Sequence, residues 1–171
     1  MRVGDLTDLY DYSYWANKKL FDVVLQLTTE EFTRSVAGSY SSIRNTMVHV
    51  MSAEWGWLER CGGAKRGPQL KPGEYPTASS VMETWGKVEG HVRAFLSTLK
   101  DEDLSRRLEF TLDGPEKHSM LLGQMMEHGA IHGIHHRAQA AMMVRMLGYT
   151  PGNFDMVFYF EEAARESRRH R

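Results

Sequence analysis

The segment HGAIHGIHHRAQ, from His128 to Gln139, places four of the chain's eight histidines within nine residues. On a helix, residues four apart share a face and lie about 6 Å apart along the axis. His128, His132 and His136 would form one such row, with His135 beside it. Neutral imidazole is the commonest protein ligand for divalent transition metals. An i,i+4 pair on a rigid helix can aim two ring nitrogens at one point. A fifth histidine, His49, lies on a separate helical stretch, and a third nitrogen from there would make a site with its fourth position open to substrate. Spacing leaves two pairings, His128/His132 and His132/His136. His135 lies about 100° around the helix from His136, so one of the two must face away. The plain alternative is a solvated or hydrogen-bonded histidine row; the local density and His49 weigh against it.

Other chemistries are poorly supplied. The single cysteine, Cys61, excludes a Cys-rich zinc site and an internal disulfide, as expected of a reducing cytoplasm. A carboxylate-bridged di-iron bundle would want Glu-x-x-His on two helices. Here Glu54 and Glu127 are the only acids central to the two histidine-bearing stretches. With 21 basic and 22 acidic residues there is no basic footprint for nucleic acid. The Arg165–Arg171 cluster reads as a solvated helix end. The opening MRVGDLTD has no apolar signal core, and no apolar run approaches the ~20 residues of a membrane span, so a soluble cytoplasmic protein is expected.

Positioning the histidines falls to long amphipathic helices. The first, about 5–27, lines up Leu6, Leu9, Tyr10, Ala16, Leu20, Phe21, Val24 and Leu27, interrupted by Ser13 and Asn17. That polar pair calls for either a wet cavity or hydrogen bonds between helices. A capping box, Thr28 to Glu31, marks a short turn of helix. Ser41 or Ser42 caps the second long helix, about 42–60, whose inward face carries Thr46, His49, Val50, Ala53 and Trp57 before Gly62-Gly63 stops it. Residues 62–77 read as an ordered loop. A second box, Ser80 to Glu83, opens a third helix at about 79–99. The stretch 108–120, around Asp113-Gly114-Pro115, reads as a loop or brief hairpin and not as a real sheet. Helix four runs about 119–147, and a last helix lies near 153–167.

The expected architecture is all-α: a single domain over 1–171, a four-helix bundle with an additional C-terminal helix. Its core needs no metal for stability. The long connections at 62–78 and 101–118 suit crossovers or a site mouth. The methionines and Trp55, Trp57 and Trp85 read as core. Trp15 falls on a polar side with Asp8, Lys19 and Asp22, where it would pack against a loop or a second subunit.

Three motifs in order resemble the DinB/YfiT-like superfamily of metalloenzymes. They are YSYWANKKLFDVVLQLTTEEF at 12–32, SSIRNTMVHVMSAEWGWLERCGG at 41–63 and HGIHHRAQAAMMVRMLG at 132–148. The last departs from the family in having Ala138 where Gly is usual. The resemblance implies a four-helix bundle, often homodimeric, with an open three-histidine site for a divalent ion, zinc or nickel foremost. Its ligands would fall on His49, His132 and His136, which resolves the pairing against His128. It also implies a metal-dependent transferase acting on a small-molecule thiol, or a hydrolase. Glu54, His128 and His135 are loosely placed candidates for proton transfer. A non-catalytic metal- or ligand-binding dimer is the alternative.

Overall fold

A computed structural model of the chain describes residues 1–36, 40–112 and 114–169. Six helices and one hairpin follow in the order α1 (Val3–Val24), α2 (Thr29–Thr33), α3 (Ile43–Cys61), α4 (Ala78–Thr98), β1 (Arg107–Thr111), β2 (Lys117–Leu121), α5 (Leu122–Met146) and α6 (Met156–Arg169). Helices α1, α5, α3 and α4 close a ring in which each packs on the next. Leu6, Phe32, Ile43, Met47, Met51, Leu122, Met125, Met126 and Met143 are fully buried between them. The expected mostly helical bundle with its extra terminal helix is therefore what the chain forms. Among the described residues, no helix is long and apolar enough to cross a membrane.

Cross-helix partners give the directions. Tyr10 bonds the carbonyl of Met126, and Ser13 and Asn17 bond Arg137, so α1 and α5 run parallel. Thr46 meets Met143 whereas Trp57 meets His128, so α3 and α5 run antiparallel. Asp11 pairs with Arg93 and Phe21 packs on Trp85, which makes α4 antiparallel to α1 and thus parallel to α3. The connection after α3 must therefore travel back along the bundle. It does so against α3 itself: Gly67 N–H donates to Glu59 at 2.8 Å, and Leu70 N–H to Ser52 Oγ at 3.0 Å.

Local signals explain most helix ends. Thr28 and Glu31 cap each other at α2, as expected, and Ser42 rather than Ser41 caps α3 by accepting from Asn45 N–H at 3.1 Å. The box at α4 is Thr77 with Ser80, not Ser80 with Glu83: Thr77 Oγ1 accepts from Ser80 N–H at 3.2 Å, so the cap moves three residues back and the helix begins at Ala78, close to the expected start. Glu83 instead pairs along the surface with Lys87, one turn on.

Of the two readings of the 108–120 stretch, loop or brief hairpin, the chain forms the hairpin, and a regular one. Arg107↔Leu121 through Thr111↔Lys117 form a regular antiparallel ladder, and it claims residues 119–121 that periodicity would give to helix four. The weak alternation is real because Leu108, Phe110, His118 and Met120 sit half-buried on one face while their neighbours are mostly exposed. Asp113 of the expected Asp-Gly-Pro turn lies outside the described residues, as do residues 170 and 171 of the terminal arginine cluster.

Trp15 is covered by its own chain. Its Nε1 donates to Glu162 at 3.0 Å, and its ring meets Tyr159 of α6 edge-on at 5.8 Å. Ser13 and Asn17 answer a buried cation, the interhelical hydrogen bonding of the two expected outcomes. Arg137 donates from Nε to Asn17 Oδ1 at 2.9 Å, and from Nη2 to the Ser13 hydroxyl at 2.6 Å and carbonyl at 3.0 Å. Burial lowers the Arg137 pKa to about 10, and it lies within the field of Glu54. Arg137→Met should lower the unfolding free energy by about 3 kcal/mol, since it strands the buried polar groups of α1. A urea titration would show the reduced midpoint, with helical content in water unchanged.

Candidate metal centre

Two antiparallel helices build the site. On α3 the inward row contains Thr46, His49 and Ala53, and on α5 it contains His132 and His136 one turn apart. Close approach of α5 to its neighbours needs small residues at its contact points. A methyl group placed on Gly129 would lie 3.0 Å from Tyr10 Oη of α1.

His49, His132 and His136 meet between these helices, each offering a ring nitrogen, and the three nitrogens lie within 4.8 Å of one another. Among the described residues this is the group that could hold a metal ion. His49 Nε2 and His132 Nε2 are 3.3 Å apart. Two nitrogens bound to one ion at about 2.0–2.1 Å with tetrahedral angles are also separated by about 3.3 Å, so the donor set fits such an ion. The His136 ring packs edge-on against His132 at 4.4 Å and against His49 at 4.7 Å. Its Nδ1 donates to Gln139 Oε1 at 2.8 Å, which leaves Nε2 with a lone pair directed at the other rings.

Electrostatics favour the neutral, ligating form. Burial lowers the pKa of His49 to about 4, helped by His136 and Arg66. Burial likewise takes His132 to about 4, with His136, His49, His128 and His135 adding to the effect. His136 is also lowered by burial, against an opposing hydrogen bond to Gln139.

The other sequence candidates lie outside this group. His128 is exposed, its ring 6.0 Å from His132 and edge-on to Trp57 at 4.7 Å. His135 faces solvent and meets Gln139 Nε2 at 3.1 Å. Glu54 is angled into the bundle, where it accepts from Tyr14 Oη at 2.5 Å and Trp85 Nε1 at 2.8 Å. Desolvation raises its pKa while those two bonds oppose the rise. Cys61 is buried and its thiol is pushed up to about 12, so it is no nucleophile.

Sequence reasoning missed Tyr40. Its ring stacks on His49 at 4.0 Å and 20°, and its hydroxyl lies 3.0 Å from His49 Nε2. Nothing in its spacing could have shown this, because the turn that places it depends on Ser41 adopting a left-handed φ of 59°. A non-glycine residue there is uncommon and often marks a functional site. Gln139 was visible only as part of a motif; lying three residues beyond His136, it was the natural candidate to orient that ring.

The model of the DinB family matches residues 1–169. Protein DinB of Bacillus subtilis (strain 168) is 23% identical over 156 residues, covering 88% of this chain and 91% of that protein. The uncharacterized protein YizA of the same organism is 25% identical over 150 residues, covering 83% and 87%. A crystal structure of a DinB-like protein from Bacillus cereus ATCC 10987 superposes with a TM-score of 0.71 at 21% identity, covering 89% of this chain and 97% of that one. With a family match over nearly its full length, a helical bundle of the same fold and three converging histidines, the chain belongs to the DinB family.

Proposed function

We propose that His49, His132 and His136 bind one divalent ion, zinc or nickel foremost, and that the protein is a metal-dependent enzyme acting on a small-molecule thiol. The observation that carries this reading is the convergence of three neutral ring nitrogens with no carboxylate in the group. An ion held by three neutral ligands keeps its full charge and depresses the pKa of a thiol or water that reaches it. A thiol so activated needs no dedicated base. Hydrolysis would more often use a carboxylate beside the water, and Glu54 is committed to Tyr14 and Trp85. Because Cys61 is buried and held protonated, the reacting sulfur would come from the substrate. The chain's own groups hold the site in shape: Gln139 fixes the His136 ring, and Tyr40 covers one face of His49.

His132→Ala should lose most of its bound metal while keeping its helical circular dichroism; stoichiometric metal in the folded variant would refute the ligand assignment. Metal-loaded wild type should conjugate low-molecular-weight thiols to electrophiles. If it does not, and Glu54→Gln abolishes a hydrolytic activity, hydrolysis takes precedence. If broad panels show neither activity, the protein is a binding module.

The pH dependence follows from the depressed histidines. Ordinary histidines, with pKa about 6.5, would surrender metal to protons below that value. Here His49 and His132 stay unprotonated until about pH 4. Calorimetry should therefore find affinity that persists to lower pH than ordinary histidines would allow, with a steep loss on approaching pH 4. In the metal-free protein the unfolded chain protonates His49 and His132 from about pH 6.5 downward, whereas the folded chain holds them neutral until about pH 4. Stability should fall across that same interval as pH is lowered.

We also propose a homodimer. With Trp15 covered by α6, the support lies in the family resemblance and in exposed apolar side chains on α5 and α6, Met142, Met146, Val157 and Phe160 among them. Sedimentation should show about twice the 19.6 kDa chain mass at micromolar concentration, and a monomer would contradict this.

A further inference from the structure

We propose that the cavity between the C-terminal end of α3, the turn at residues 63–66 and strand β1 is an anion subsite of the metal centre. It takes a carboxylate or phosphate carried by the thiol substrate about 10 Å or more from its sulfur. The proposal rests on the three-histidine reading above and names the class of thiol. One stripe of α3 joins the two places. His49, Ala53, Gly56 and Arg60 fall within about 60° around the helix, and the last three lie about 6, 10 and 16 Å along the axis from His49. Gly56 lets the Arg66 side chain lie across the stripe: a methyl group there would meet Arg66 Nε at 2.7 Å and Cδ at 3.1 Å. The charge placed there is felt at the centre, where it helps to keep His49 neutral. A row of rings runs the same way. His128 lies 6.0 Å from His132, Trp57 is edge-on to His128 at 4.7 Å, and Phe110 of β1 is edge-on to Trp57 at 5.4 Å.

Both rows end at a cavity of about 440 Å³, the size of a small-ligand site. Among the described residues, Arg60, Lys65, Arg66 and Lys117 line it against one acid, Glu109. The two arginines are engaged within the chain. Arg60 donates to the Gly56 carbonyl at 3.0 Å and to the Thr111 carbonyl at 3.1 Å, and Arg66 is held over Gly56. What they contribute is charge in a fixed place, and the Arg60 bond also offsets the negative end of the α3 dipole, which would repel an anion. Lys65 and Lys117 are exposed and supply the donors that can move. Lys117 meets Glu109 only at 3.9 Å, with both side chains largely exposed, and such a pair is worth little. An arriving carboxylate can therefore recruit the Lys117 ammonium. Phe110 gives the cavity an apolar wall. The lining thus suits a molecule that is apolar along its length and charged at its far end.

The test compares three thiols on the full chain loaded with cobalt(II), with binding followed by visible absorption. They are 8-mercaptooctanoate, whose carboxylate can reach the cavity, the neutral 8-mercapto-1-octanol of the same length, and 3-mercaptopropionate, whose carboxylate cannot reach. Wild type should bind the long acid about tenfold more tightly than the alcohol, an advantage that shrinks as salt is raised. In the double variant Lys65→Glu/Lys117→Glu the advantage should vanish. Cobalt stoichiometry, helical circular dichroism and the affinities for the alcohol and the short acid should stay within about twofold of wild type. Equal binding of the long acid and the alcohol by wild type would overturn the proposal, as would an advantage that survives the double variant. An equal loss for the short acid would also overturn it, since the lysines would then act as a general field with no subsite. Wild-type protein that takes up no cobalt refutes the three-histidine reading and this proposal with it, whereas uptake without discrimination between the long thiols refutes the subsite alone.

Discussion

The close antiparallel contact of α3 with α5 is the constraint on which the rest of the molecule depends. It sets the distance between His49 and the His132/His136 pair, and only a few ångströms separate a converging donor set from three unrelated side chains. Gly129, Ala130 and Gly133 are buried along α5 beside it, and at Gly129 a methyl group would already crowd the Tyr10 hydroxyl of α1. Gly129 admits the Tyr10 hydroxyl, which bonds the Met126 carbonyl at 3.0 Å. These glycines lower the intrinsic helix propensity of α5, and burial against three elements offsets that weakness.

A second layer of polar chemistry lies directly behind the histidines. Arg137 follows His136 in sequence but points the opposite way, into α1, and its charge sits in the field of Glu54. Burial lowers the pKa of the guanidinium and raises that of the carboxyl, and each opposes the shift of the other. Breaking one member of such a set leaves the others unsatisfied, which gives the interior of the bundle a single arrangement. The orientation of His136 is thereby fixed from both sides, by Gln139 at its Nδ1 and by the anchored Arg137 beside it.

How much of this could be read from the chain depends on the range of the interaction. The helices were legible because period, caps and stops are local: Thr28, Ser42 and Gly62 mark their ends within a few residues. The hairpin was only half legible, since its alternation is short and its inward face packs on α3, far away in sequence. His132 and His136 were legible as a spacing, but choosing them over His128 required either the family resemblance or the position of His49. Whether Ser13 and Asn17 faced water or a cation could not be decided from α1, because their partner lies 120 residues downstream. Tyr40 was hidden for a different reason: a turn with a left-handed serine has no sequence signature.

The parallel run of α3 and α4, and the return strap between them, have a consequence for how the site comes into being. His49 and His132 are 83 residues apart, and everything between them must be threaded along and around the bundle before they meet. During synthesis the first ligand is made long before the other two. Until α5 docks, the chain offers an isolated imidazole with no more claim on a metal than any surface histidine. Any ion held by these three histidines would therefore be captured late in the life of the chain, and would report the completed bundle instead of directing its assembly.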